Sequence, residues 1–113
     1  MSKRDKIILL AVFMGYIDNG DSQYLIHPET NYDHDIDDAD WFKYDTSWDW
    51  LMAVIDKITI ETGYTLVMAA DYSYWNQFGD NPLGEEFGGY ETIGGIFEAV
   101  VSFVEYNKLN TID

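Results

Sequence analysis

The chain contains no cysteine. That excludes a disulfide scaffold, a thiolate zinc site and a cysteine nucleophile, and it makes an intracellular protein the simplest reading. Basic residues are scarce as well: 6 Lys+Arg stand against 21 Asp+Glu, a formal net charge of −15. Three of the six, Lys3, Arg4 and Lys6, sit near residue 1, so residues 7 to 113 hold 3 basic and 20 acidic side chains, a net of −17. A field of that sign repels DNA, RNA and anionic lipid, because nucleic-acid binders need cations to displace phosphate counterions. Direct binding to nucleic acid or membrane is therefore not expected. Long apolar runs are missing too. The longest, Ile7 to Met14, covers 8 residues, against roughly 20 needed to cross a bilayer, and no small-residue cleavage site follows it. The expectation is a cytoplasmic protein.

What the chain does have is apolar bulk. Its 113 residues are 47% hydrophobic and include 4 Trp, 9 Tyr and 6 Phe, enough to build one core at a size that buries about 60–70% of the unfolded surface. This argues against disorder despite the charge, and for a single domain spanning residues 1–113.

Helix signals bracket the sequence. Ser2-Lys3-Arg4-Asp5 has capping-box spacing and opens a first helix that stops at Gly15. Ile7 to Met14 leave that helix almost no polar face, so it is expected to be the most enclosed of the helices. Thr46-Ser47-Trp48-Asp49 is a second capping box, with Thr46 as the cap. It is followed by Trp48, Leu51, Met52, Ile55 and Ile58 on one apolar stripe and by Gly63 as a left-handed stop. A third helix is expected from Thr92 to Asn107, with Ile93, Ile96, Phe97, Val100, Phe103 and Val104 facing the core. Between the helices, strand signals occur at Gln23–His27, Trp41–Tyr44, Tyr64–Ala70 and Tyr72–Phe78, the last two joined so closely that they pair antiparallel. Residues 79–90 contain four glycines and read as a mobile loop. The fold class is α+β: a small, mainly antiparallel sheet of three to four strands packed with three helices.

No segment carries a recognisable reaction. There is no Walker loop, no nucleophile elbow and no dinucleotide fingerprint. With 21 carboxylates, some are neighbours by chance, so none is assigned a catalytic role. Asp33-His34-Asp35-Ile36-Asp37-Asp38-Ala39-Asp40 opens like a calcium loop, but the sixth position is Asp38 where the turn needs Gly, and the twelfth is Tyr44 where a bidentate Glu belongs. That rejects an EF-hand and leaves at most weak calcium binding. His27 and His34, the only imidazoles, lack helical spacing for zinc, so no metal and no cofactor is assigned. Asp33, Asp35, Asp37, Asp38 and Asp40, with Trp50 beside the stripe of the second helix, are the candidate partner-binding residues. Trp48, Trp75, Tyr64, Tyr72 and Tyr74 read mainly as core and sheet packing, although alternation along 72–78 sends some rings outward.

Phe13-Met14-Gly15, Thr46-Ser47-Trp48-Asp49-Trp50-Leu51-Met52 and Ala99-Val100-Val101-Ser102-Phe103-Val104 occur in an order that resembles small phage and prophage proteins, especially of Bacteroidota. The layout is also similar to the phage ABA sandwich domain. The resemblance covers most of the chain outside residues 18–40 and 79–90. It implies a phage-type fold in a bacterial host and carries no catalytic residues.

Together these readings favour a non-enzymatic accessory protein that binds a basic macromolecule through an acidic surface. In a sharper form, its carboxylates imitate nucleic-acid phosphates and occupy a host nucleic-acid-binding protein, as an anti-defence inhibitor would. The alternatives are a small-molecule or metal-binding protein with a pocket near the glycine-rich loop, and a virion or assembly component.

Overall fold

The computed structural model describes residues 1–18, 20, 23–37 and 41–110, the side chains of 109 and 110 excepted. The described residues form an α+β domain of three helices and two separate antiparallel hairpins.

Helix α1 spans Lys3–Phe13, capped by Ser2, whose hydroxyl accepts from the Asp5 amide at 3.1 Å. It ends in a Schellman motif: Gly15 takes φ +106°, Gly15 N–H donates to Val12 and Tyr16 N–H to Ala11, which satisfies carbonyls the helix would otherwise orphan. Helix α1 is not the most enclosed helix. Leu10 and Ala11 are buried, but Val12 is exposed and Ile7, Ile8 and Leu9 are only half-covered. The central helix is α3, Ile93–Asn110, which packs against α1, α2 and the second hairpin. Its Ile96, Phe97, Ala99, Val100, Val101, Phe103 and Val104 are all buried.

Helix α2 spans Trp48–Thr62 and buries Leu51, Val54, Ile55 and Ile58. Its cap is Ser47, one residue later than the sequence spacing suggests, and Gly63 at φ +80° donates to Thr59 to close it.

The expected single sheet is two hairpins. Strand β1, Tyr24–Ile26, pairs with β2, Asp33–Asp35, in the register Tyr24 with Asp35 and Ile26 with Asp33. Two aspartates make a poor strand by propensity. The intervening turn decides the pairing: His27 N–H donates to Tyr32, Asn31 sits at φ +60°, and the His27 Nδ1 atom accepts from the amides of Glu29 and Thr30. The locally closed turn places Asp33–Asp35 directly alongside β1. Trp41–Tyr44, expected as a strand, enters no ladder; Phe42 and Tyr44 plug into the core instead.

Strands β3, Thr65–Met68, and β4, Ser73–Asn76, form the second hairpin as expected. Its inner face turns Trp75 and Ser73 fully inward. The glycine-rich segment is tied to this hairpin rather than standing free. Ser73 and Phe87 exchange two backbone bonds of 2.8 Å, Ser73 Oγ donates to Gly88, and the amides of Tyr90 and Glu91 donate to Ala69 and Ala70. A Cβ on Gly89 would lie 2.1 Å from the Ala69 carbonyl oxygen, so this approach needs glycine.

Candidate functional site

Within the aspartate segment, Asp35 and Asp37 have partners in the domain. Asp35 accepts from the Gln23 side-chain amide and, at 2.9 Å, from the Asp37 backbone amide. Asp37 meets Arg4 Nε at 3.4 Å and Gln23 Nε2 at 3.3 Å. Asp33 is exposed at the start of β2. Asp38 and Asp40 lie outside the described residues. Trp50 is half-buried, packed edge-on against Trp41 and Tyr44 at ring distances of 5.8 and 5.0 Å. It therefore belongs to a string of rings in which His34 stacks on Trp41 at 4.2 Å and the Trp41 indole donates to the Tyr16 hydroxyl at 2.9 Å. Burial raises the Tyr16 phenol above its ordinary range, partly offset by that bond; burial raises Tyr44 further, with the nearby Tyr16 adding to it.

The two histidines come together, their rings 5.9 Å apart. The His27 Nδ1 lone pair is already committed to two backbone amides. Among the described residues no group of three or more His, Asp or Glu side chains is placed to hold a metal ion.

The N-terminal cations are committed as well. Lys3 pairs with Asp45 at 2.6 Å and Lys6 with Glu98 at 2.6 Å, while Lys57 lies 4.8 Å from the Phe13 ring centroid and binds the Phe13 carbonyl. Exposed carboxylates occur on every large element, including Asp5 on α1, Asp49 and Asp56 on α2, Asp71 and Asp80 at the ends of the second hairpin, and Glu105 on α3. Among the described residues, exposed acidity therefore extends well beyond the aspartate segment.

The second hairpin adds a different feature. Along β4, Ser73 and Trp75 point inward, so Tyr72, Tyr74 and Asn76 share the opposite face. The Tyr72 and Tyr74 rings are parallel within 4° at 6.4 Å, and Tyr72 is 43% exposed. Beyond them Gln77 and Asp80 exchange two backbone bonds of 2.9 Å around Phe78 at φ +52° and Gly79 at φ +84°. Two consecutive positive φ values inside a two-residue loop make this a type I′ turn. Phe78, at its tip, is 100% exposed. Tyr90, 56% exposed, is held near the other end by its amide bond to Ala69. Sequence alternation along 72–78 sent some rings to the surface without singling out which. Phe78 and Tyr90 were missed, although a bulky residue directly before Gly79 in a two-residue turn is a readable signal.

A groove of about 640 Å³ runs between α1 and α3, floored by Ile8, Leu9, Val12, Phe13 and Val104. It is not the pocket expected beside the glycine-rich loop. No family model, no curated protein and no solved structure matches the chain.

Proposed function

We propose that the protein is a non-enzymatic binding protein for a basic protein partner, and that its contact surface is the outer face of the β3–β4 hairpin with the turn that extends it. The observation that carries this reading is Phe78. A left-handed conformation costs an L-residue roughly 1–2 kcal/mol, and a phenylalanine side chain gains about 1.5–3 kcal/mol when fully buried. At φ +52° and full exposure, Phe78 accepts the first and forgoes the second inside this molecule. A solvated aromatic at the tip of the hairpin that carries the Tyr72–Tyr74 stack is what a hot-spot anchor looks like before its partner arrives. Asp71 and Asp80 border the row, and the net charge of −15 draws cationic surfaces to the molecule as a whole.

The partner class follows from that charge. In the sharper form, it is a protein whose basic surface otherwise holds nucleic-acid phosphates, with carboxylates here standing in for them. Capture from a bacterial lysate on the immobilised protein tests the reading, with Phe78→Asn and Asp71→Asn/Asp80→Asn run in parallel. The expected result is a discrete basic protein that roughly 0.5 M salt releases and that both variants retain less well. Capture indifferent to salt and to both variants overturns it.

A further inference from the structure

The backbone pattern of the second hairpin leaves one side of β3 unused. Ser73 spends both its N–H and its C=O on Phe87, so neither points at β3. Its partner Met68 is therefore in a non-hydrogen-bonded pair, and its own N–H and C=O point away from β4. Two residues back, Leu66 opposite Trp75 does the same, while Thr65 and Val67 bond inward to Asn76 and Tyr74. No described residue pairs with the outward groups of Leu66 and Met68. Backbone polar groups are nearly always paired, so these outward groups are left to water or to a partner.

Edge strands are normally blunted by lysine, proline or a bulge. Thr65-Leu66-Val67-Met68 has none of these and no charge at all. The carboxylates stand at its ends: exposed Glu61 in the last turn of α2, Asp71 in the hairpin turn, and Glu91, whose amide binds Ala70.

We infer that β3 receives an extended, lysine- or arginine-bearing segment of the partner as an added antiparallel strand, bonded to the amides and carbonyls of Leu66 and Met68. This rests on the proposed reading of the hairpin as the contact surface for a basic protein. Charge selects the occupant. Two copies of this chain each carry −15 and repel, whereas a cationic strand finds carboxylates at both ends of an uncharged ladder. Main-chain bonds give such an addition its affinity, and alternate side chains give it specificity.

The test uses amide hydrogen exchange of the full chain with a capped heptapeptide alternating lysine and valine, and with the same peptide fully N-methylated. The account expects the plain peptide to slow exchange at Leu66 and Met68 by at least about tenfold, or 1.4 kcal/mol, with Val67 unchanged and the methylated peptide inactive. If both peptides bind equally and exchange at Leu66 and Met68 is unaltered, strand addition is overturned while binding of basic segments stands. If neither peptide binds, both are overturned. Protection of Leu66 and Met68 already present in the free protein and growing with its concentration would assign the edge to a second copy, and overturn the inference.

Discussion

The indole N–H of Trp75 donates to the main-chain carbonyl of Ala99 at 2.8 Å, with both residues fully buried. This single bond ties the hairpin to the central helix. The Trp75 ring also lies 4.5 Å from that of Phe103 one turn further along α3, so the hairpin is fixed in position as well as attached.

Trp75→Phe should therefore lower stability by about 1–3 kcal/mol, the sum of a lost buried bond and unfilled volume. Urea unfolding measures it. An unchanged midpoint would mean that the hairpin is held elsewhere.

Glycines 94 and 95 are neighbours with opposite expectations. A Cβ built on Gly95 would lie 2.6 Å from the Gly88 Cα, whereas one built on Gly94 meets nothing within 4 Å. Gly95→Ala should cost about 1–3 kcal/mol by forcing the glycine-rich segment off the helix. Gly94→Ala should gain about 0.5–1 kcal/mol from helix propensity. Paired thermal scans separate the two, and equal responses would contradict the close packing of Gly88 on Gly95.

The two buried phenols make stability sensitive to alkali. Both Tyr16 and Tyr44 titrate above their ordinary value when folded, so the folded state keeps protons that the unfolded chain gives up near pH about 10. Their contribution is complete below that pH and drains away as pH rises toward the folded values, at up to about 1.4 kcal/mol per pH unit for each tyrosine. Tyr44→Phe should flatten the fall in urea stability between about pH 10 and 12. A slope identical to wild type would show that Tyr44 ionises freely in the fold.

Much of the architecture was readable from local chemistry. Ser2 and Gly63 mark helix ends, and Thr46 marks one to within a residue of the observed cap Ser47, because capping satisfies backbone groups within one turn; Tyr64–Phe78 announces a hairpin because its apolar residues are close in sequence. The split into two hairpins was not readable. Asp33-His34-Asp35 pairs with β1 through a turn closed by the His27 imidazole, and Trp41–Tyr44, a strand by propensity, is used as packing. Nor does one apolar run rank enclosure: Ile7–Met14 is wholly apolar, but Lys3, Arg4, Asp5 and Lys6 open the same helix, and α3 sits centrally because three elements pack on it. Asp35 and Asp37 look like surface charge in the sequence, but Gln23 and Arg4, fourteen and thirty-three residues from Asp37, engage them. Phe78 was not singled out as a site because its significance lies in a φ value and an exposure; its place directly before Gly79 was the one signal the sequence carried.

The most direct measurement is the urea unfolding of Phe78→Asn. The substitution creates an Asn-Gly pair at the centre of a type I′ turn, the dipeptide that conformation favours. If Phe78 is displayed for a partner and gives nothing to the fold, the variant should be more stable than wild type by about 1 kcal/mol. A variant less stable than wild type would show that the ring supports the domain itself, and would contradict the account.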